Sequence, residues 1–255
     1  MTTSVVGDPI AEASPLFRAN MIGVFLLTSI LMGAAAAFVR WMLVVPGDAT
    51  TTATNILAHE PLFRMLIAAD LISASCYVAV TLYFYEMFKP VSERLSLLTA
   101  FFSLMSCGIV AFACLLHVTA LLILRSAQYL DILAVQPLPA LALLCLKLRE
   151  QAYGVSLVFF GLHCLLIGYL IFRSTFLPRI VGVLMAFAGS CWLTFLSPQV
   201  THPLSLYIVA AALLGEGTLI LWLLVKGVNV QQSKERATAA EVRQPYGLLR
   251  TQERV

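Results

Sequence analysis

Long apolar stretches alternate with short polar segments along the chain. Six stretches reach the roughly 20 mainly apolar residues that a helix needs to cross the hydrocarbon core of a bilayer. They lie at about 20–45, 62–88, 95–124, 150–173, 179–197 and 203–226. Helix-breaking residues separate them, such as Pro46-Gly47-Asp48 after the first stretch and Lys89-Pro90 after the second. The pattern predicts an all-α fold: a polytopic membrane bundle of six transmembrane helices.

The composition agrees with a chain embedded in lipid. Of the 255 residues, 60% are hydrophobic and 11% are charged, whereas soluble domains average about 45–50% apolar and about 25% charged residues. A soluble fold of this size could not bury so much apolar surface, which excludes a cytosolic enzyme, a nucleic-acid-binding protein and a disordered protein. The predicted partner is the lipid bilayer, and the sequence leaves open a homo-oligomer or a membrane-complex partner.

The positions of Lys and Arg predict the orientation, because cytoplasmic loops of membrane proteins carry more of these residues. If the N-terminus is cytoplasmic, eleven of them share its side of the membrane: Arg18, Lys89, Arg94, Arg173, Arg179, Lys226, Lys234, Arg236, Arg243, Arg250 and Arg254. The other five fall on the opposite side: Arg40, Arg64, Arg125, Lys147 and Arg149. Both termini are therefore predicted to be cytoplasmic. The predicted organisation is a cytoplasmic segment at 1–19, a six-helix transmembrane domain at 20–229 and a disordered cytoplasmic tail at 230–255.

Two loops are predicted on the outer side of the membrane. The first, Pro46 to Glu60, is rich in Thr and Ala. The second, Ser126 to Leu148, contains an apolar run from Ala140 to Leu146 that is too short to span the bilayer and too apolar for water. This run predicts a short interfacial or re-entrant segment between the third and fourth transmembrane helices.

Glycines predict where helices approach one another, since helix association in lipid depends on close backbone packing. Gly154, Gly161 and Gly168 recur every seven residues on one face of the fourth span, and Gly182 and Gly189 do so on the fifth. The spacing predicts a packing seam between these helices and their neighbours.

Four ionisable residues lie inside the predicted spans: Asp70, His117, His163 and Glu216. Ionisable groups at this depth cost about 2.5–3.5 kcal/mol on insertion scales, so each is a candidate functional residue. With a helical rise of about 1.5 Å per residue, Glu216 and His163 could meet near the midplane, while Asp70 and His117 share a level nearer the outer face. Glu216 is interpreted either as a carboxylate that binds a proton, a cation or a polar ligand, or as an acid that only holds the sixth helix against the fourth.

Asp70 begins a polar face on the second span. Three further residues continue it at helical spacing: Ser73, Tyr77 and Thr81. The third span carries a comparable face of small and polar residues that ends at His117. Two such faces either line a water-filled cleft that opens outward near Arg40, His59 and Arg64, or form a dry hydrogen-bonded interface.

The leading functional hypothesis is non-enzymatic: the chain binds or translocates a small polar or ionic ligand that enters from the outer face. Its site is predicted to comprise Asp70, His117, His163, Glu216, Arg64 and His59. In this hypothesis the carboxylates accept a cation or a proton, the imidazoles assist them, and Arg64 is a charged gate.

Two alternatives stand beside that hypothesis. One is a membrane-embedded enzyme or redox protein, in which His117 and His163 are axial ligands of haem or His59, Asp70 and His117 bind a metal ion. The other is a structural accessory subunit of a membrane complex. The chain contains no standard catalytic motif, and its six cysteines lie almost entirely in apolar runs without the spacing of a disulfide framework or a zinc site. No cofactor is therefore predicted.

A series of short motifs occurs along residues 16–229. They include Thr54-Asn55-Ile56-Leu57-Ala58-His59-Glu60, Ala68-Ala69-Asp70-Leu71, Phe159-Phe160-Gly161-Leu162-His163, and Gly215-Glu216 followed by Leu221-Trp222-Leu223-Leu224-Val225-Lys226. In these motifs and their order the chain resembles the bacterial membrane-protein family catalogued as domain of unknown function 4386. The resemblance implies a multi-pass protein of the bacterial inner membrane and implies no activity or cofactor. Gly217 departs from the family pattern, in which a bulkier residue follows the glutamate.

Overall fold

A computed structural model describes residues 15–129 and 137–226 of the chain. Within these ranges the fold is all-helical and contains no strand. The helices are α1 (Pro15–Leu43), α2 (Ala49–Ala58), α3 (Glu60–Phe88), α4 (Glu93–Tyr129), α5 (Pro137–Arg173), α6 (Arg179–Leu193) and α7 (Pro198–Val225), with a short 3-10 turn at Thr194–Leu196. Six of them, all except α2, are long and apolar enough to cross a membrane. The predicted six-helix bundle is thus confirmed, and the chain is a multi-pass membrane protein.

The six long helices form a closed ring. Helix α1 packs on α3, α3 on α4, α4 on α5, α5 on α6 and α6 on α7, and α7 returns to α1. Large apolar side chains such as Trp41, Phe101 and Leu221 stay exposed on the outside of the ring, as expected for side chains that face lipid. At one end of the ring α1 and α4 finish while α3 and α5 begin. We call this the cleft end, and the predicted orientation places it outside the cell.

The glycine seam lies between α5 and α6. A Cβ atom on Gly168 would lie 2.6 Å from the carbonyl oxygen of Gly182, and one on Gly161 would lie 2.8 Å from that of Gly189. Such distances leave no room for any side chain, so the predicted packing role of these four glycines is confirmed. Gly154 differs, because the nearest neighbour of its Cβ position is Phe195 at 3.9 Å. The prediction of a tight contact is therefore wrong for Gly154, where α6 has already ended.

The expected segment between the third and fourth transmembrane helices needs a correction. Residues 140–146 are not a separate interfacial or re-entrant piece but belong to the first turns of α5, a continuous helix of 37 residues. Prolines at 137 and 139 do not break this helix, since the first turn has no intrahelical N–H bonds to lose. Within this run, Ala142, Cys145 and Leu146 are buried against Leu43 and Phe63. The rest of the predicted loop, at 130–136, lies outside the described residues.

The other predicted loop contains a helix that the sequence analysis did not foresee. Asp48 is the N-cap of α2 and accepts hydrogen bonds from the hydroxyl (2.6 Å) and the backbone amide (2.9 Å) of Thr51. These bonds lower the pKa of Asp48. Gly47 precedes it with a φ of 83°, a left-handed conformation that favours glycine. Helix α2 packs on α5 at the cleft end.

The predicted terminal segments mostly fall beyond the described ranges. Residues 1–14 and the predicted tail at 230–255 lie outside them. Residues 15–19 belong to α1, which begins at Pro15.

Candidate functional site

At the cleft end, side chains from three helices surround one carboxylate oxygen of a residue on a fourth helix. Asp70 Oδ2 lies 2.8 Å from Arg40 Nη2, 3.1 Å from Arg149 Nη2 and 3.9 Å from His117 Nδ1. Asp70, His117 and Arg149 are all buried. We call these four residues the charged cluster. It connects α1, α3, α4 and α5, and it contains two of the residues that the sequence predicted to share a level, Asp70 and His117.

Neither arginine of the charged cluster was among the predicted site residues, because both were placed at the ends of spans. Arg40 was expected only near the opening of a cleft. Helix α5 begins at Pro137, so Arg149 lies about three turns inside it and is only 3% exposed. One turn later Tyr153 supports it, with the guanidinium carbon 4.7 Å from the centre of the tyrosine ring. The i, i+4 spacing places Arg149 and Tyr153 on one helix face, but the exposed pair of Tyr169 and Arg173 has the same spacing, so this signal alone does not indicate a buried arginine.

A cleft of about 630 Å³ opens beside the charged cluster. Helix α6 ends at Leu193, and the turn that follows it packs Phe195 near Gly154. The two turns of α5 that precede Gly154 therefore extend past the end of α6, which leaves the cleft beside them. The lining residues are Arg40, Val44, Pro46, Gly47, His117, Leu143, Leu146, Lys147, Arg149, Glu150, Gln151, Tyr153, Gly154 and Phe195. Asp70 contacts the arginines but does not line the cleft.

Several buried nitrogens of the charged cluster have no hydrogen-bond partner among the described residues. They are Arg40 Nε, Arg149 Nε and both ring nitrogens of His117. The His117 ring contacts the edge of Phe63, with ring centres 5.5 Å apart. Buried polar atoms are normally paired, so this set of unpaired nitrogens beside a cleft makes the charged cluster the candidate functional site.

His59 and Arg64 do not join this site. The exposed His59 has its Nδ1 3.1 Å from the carbonyl oxygen of Asn55, and Arg64 Nε donates to Glu60 at the surface over 2.8 Å. Neither residue lines the cleft. Across the described ranges, no group of three or more His, Cys, Asp or Glu residues could hold a metal ion, so the alternative in which His59, Asp70 and His117 bind a metal is not supported.

His163 lies in a different part of the bundle. It is fully buried, and its Nδ1 donates to the carbonyl oxygen of Thr99 over 3.1 Å. Aromatic rings surround it, with ring centres at 5.6 Å for Tyr77, 6.0 Å for Phe160 and 6.2 Å for Phe84. We call these residues, together with Trp192, the aromatic cluster: Tyr77, Phe84, Phe160, His163 and Trp192.

Glu216 adjoins the aromatic cluster through Trp192. The indole Nε1 donates to Glu216 Oε1 over 2.8 Å, and Trp192 contacts Phe160 with ring centres 6.1 Å apart. Among the described residues, His163 and Glu216 form neither a hydrogen bond nor an ion pair with each other. The expected direct meeting of the two residues is therefore replaced by an indirect contact through aromatic rings.

The two histidines are too far apart to act together. His163 contacts Thr99 on α4, and His117 follows Thr99 by 18 residues on the same helix, which corresponds to about 27 Å along the axis. Two axial ligands of a haem bind the same iron atom from opposite faces of the ring. This separation excludes the pairing of His117 and His163 on one haem.

The polar face of α3 resolves into contacts with two different helices. Ser73 Oγ donates to the carbonyl oxygen of Ser29 on α1 over 2.8 Å, whereas Thr81 shares a hydrogen bond with Ser103 on α4. Of the two alternatives for this face, these residues show the hydrogen-bonded interface. The cleft opens instead beside Arg40, His117 and Arg149 of α1, α4 and α5.

A comparison with protein families agrees with this architecture. The model of a family described as a domain of unknown function, DUF4386, matches residues 21–227. The chain belongs to the DUF4386 family. The match covers most of α1, all of the other long helices and the charged cluster, and it confirms the resemblance seen in the sequence motifs. No curated protein and no solved structure matches the chain.

Proposed function

We propose that this DUF4386 protein binds a small polar or ionic ligand in the cleft, against the charged cluster. The observation that carries the proposal is a cleft of about 630 Å³ that reaches buried side chains with unpaired nitrogens. This volume lies within the range of about 300–1,000 Å³ that is typical of small-molecule sites. Of the residues proposed from the sequence, the site uses Asp70 and His117, and Arg40 and Arg149 complete it.

Binding fits this conformation better than free passage through the bundle. His163 follows Arg149 by 14 residues on α5, about 21 Å along the axis, and the aromatic cluster fills the bundle at that level. We assign His163 and Glu216 to the packing of this region rather than to the ligand site. The distribution of Lys and Arg supports a bacterial inner-membrane location with both termini cytoplasmic, so that the ligand enters from outside.

The cleft can be filled without touching the charged cluster. Gly154 lines it, and Gly154→Phe would place a ring in its space. Gly108→Phe is the matched control, because a side chain on the exposed Gly108 meets nothing within 4 Å. The purified full chain would be tested by thermal unfolding with hexyl phosphate, hexanoate, hexylammonium and inorganic phosphate.

We expect at least one of these probes to raise the Tm of the wild type and of the Gly108→Phe variant, and to leave that of the Gly154→Phe variant unchanged. If no probe binds, or if each binds Gly154→Phe as well as it binds the control, the cleft is not a ligand site.

A purely structural role is the second candidate. The observation in its favour is that Asp70 connects α1 and α5 through two ion pairs, and removing one partner of a buried charge pair is strongly destabilising. The Asp70→Asn variant separates the two candidates. If the role is purely structural, the variant is less stable than the wild type, but each probe shifts its Tm by the same amount as it shifts that of the wild type. For a ligand site, the response to charged probes changes.

A further inference from the structure

We infer that the ligand of the cleft is an amphipathic organic anion, with a carboxylate or phosphate group and a short apolar body. The inference rests on the proposed function and assigns the substrate class of the same site. It reverses the role that the sequence suggested, in which carboxylates receive a cation.

The first argument is the balance of charge. Two guanidinium groups, those of Arg40 and Arg149, converge on a single oxygen of a single carboxylate, that of Asp70. The charged cluster, which is buried except for the partly exposed Arg40, therefore keeps one positive charge in excess. At the more exposed wall, Lys147 and Glu150 also line the cleft and balance each other. A buried charge without a counterion is costly in a low-dielectric environment, so the site favours an anion.

The second argument is the set of unused donors. A guanidinium has five N–H donors and no acceptor, and the Nε atoms of Arg40 and Arg149 are buried without a partner among the described residues. His117 adds a ring N–H from whichever nitrogen carries the proton. Carboxylates and phosphates present several acceptor oxygens and match the fork of an arginine side chain.

The third argument is the order of the groups as a ligand would meet them. Arg40, His117 and Arg149 line the cleft, whereas Asp70 does not. A cation that passed the Lys147 and Glu150 side chains would therefore meet the guanidinium groups before the carboxylate of Asp70. An anion would meet its counterions directly, with Asp70 holding the guanidinium groups in place through hydrogen bonds of 2.8 and 3.1 Å.

The walls of the cleft indicate the rest of the ligand. Apolar side chains form much of the lining, from Val44, Leu143, Leu146 and Phe195. The volume of about 630 Å³ is far greater than a free phosphate ion needs. A ligand with an apolar body next to its anionic group would fill both the polar and the apolar parts.

The experiment uses opposite charge changes on the two partners of the cluster. The full chain is placed in phosphatidylcholine nanodiscs and titrated with hexyl phosphate, hexanoate and hexylammonium, which share a tail length and differ in head group. Arg149→Gln removes the excess positive charge, and Asp70→Asn increases it. Arg149→Lys keeps the positive charge but loses the planar guanidinium group, which can donate two parallel hydrogen bonds to a carboxylate or a phosphate.

We expect hexyl phosphate and hexanoate, but not hexylammonium, to bind the wild type. Arg149→Gln should weaken anion binding about tenfold or more, as expected for the loss of a charge-assisted hydrogen bond, and Arg149→Lys should weaken it less. Asp70→Asn should bind the anions more tightly than the wild type does, because it increases the excess positive charge. Because Arg149→Gln and Asp70→Asn change affinity in opposite directions, a general loss of folding cannot reproduce the result.

Binding of hexylammonium that is lost in Asp70→Asn would overturn the anion assignment while leaving the proposed cleft intact. Binding of the anions that is unchanged in Arg149→Gln would also overturn it. If Gly154→Phe changes the binding of none of the probes, the cleft itself is not a ligand site. The failure of the anion assignment and the failure of the proposed site are therefore distinguishable.

An anionic group could come from the aqueous phase or from a lipid, and a second arm separates these sources. Nanodiscs that contain phosphatidylglycerol are compared with those of phosphatidylcholine alone. If the natural ligand is a soluble organic anion, hexyl phosphate binds equally in both. If an anionic lipid occupies the cleft, phosphatidylglycerol reduces hexyl phosphate binding to the wild type, and native mass spectrometry detects the lipid on the wild type but not on Arg149→Gln.

Discussion

The charged cluster and the aromatic cluster both place polar side chains from α3 and α5 inside the bundle, yet they do so in opposite ways. In the aromatic cluster, His163 has one hydrogen bond and is otherwise surrounded by rings. In the charged cluster, four polar side chains meet beside a cleft, and several of their nitrogens have no partner among the described residues. The first region has the character of a packed core, and the second that of a binding site.

The difference follows from the lengths of the helices. Where α5 faces α6, glycines on both helices bring the backbones into contact and leave no space. Toward the cleft end α6 has already ended, while α5 continues for several turns. The same helix α5 therefore supplies a close-packed surface in one half and a cleft wall in the other.

The largest effect should come from adding one methyl group to the seam. In Gly168→Ala the new Cβ would lie 2.6 Å from backbone atoms of Ala186 and Gly182, so α5 and α6 must move apart. We expect a loss of stability of about 3 kcal/mol, at the upper end of typical overpacking costs, measured by thermal unfolding of the purified protein.

Gly154→Ala is the matched change in the cleft half of α5. Its Cβ has only Phe195 nearby, at 3.9 Å, and alanine is the better helix former by about 1 kcal/mol. We expect unchanged or slightly increased stability. Equal destabilisation by Gly168→Ala and Gly154→Ala would refute the contrast between the two halves.

An intermediate effect is expected at Glu216. Replacement by alanine leaves the buried Trp192 N–H without its acceptor, which should cost about 1–3 kcal/mol. Glu216→Gln should cost less, because the amide oxygen can still accept from Trp192. Probe affinity at the cleft should be unchanged in both variants. A fall in that affinity comparable to that of Arg149→Gln would show that the two clusters act as one site.

The smallest effect concerns α2, next to the cleft. Hydrogen bonds from Thr51 lower the pKa of Asp48, so the cap is fully formed above the ordinary aspartate pKa and is lost as the pH falls through the lowered value. Hydrogen exchange of the Thr51 amide, corrected for the intrinsic rate, should therefore lose protection only in acid. Asp48→Asn, whose single side-chain oxygen can accept the bond from the Thr51 amide without titrating, should remove this pH dependence; an unchanged profile would exclude Asp48 as its origin.

The six membrane spans and the glycine seam could be predicted because their signals are local. An apolar run of about 20 residues identifies a spanning helix wherever the helix packs, and glycines seven residues apart share one helix face whichever helix they meet. Asp70 and His117 were also expected at one level, since depth along a straight helix follows from residue counting. The same counting placed Arg149 at the end of a span only because the start of α5 was set thirteen residues too late.

The sequence by itself determined that this chain crosses a membrane six times and that a few ionisable residues lie inside it, because both depend on composition along single helices. Only the tertiary structure decided which of those residues meet. It joined Asp70 to Arg40 and Arg149, separated His117 from His163, and directed Glu216 to Trp192. These pairings depend on the rotation of each helix and on where its neighbour ends, which are properties of the assembled ring rather than of any one segment.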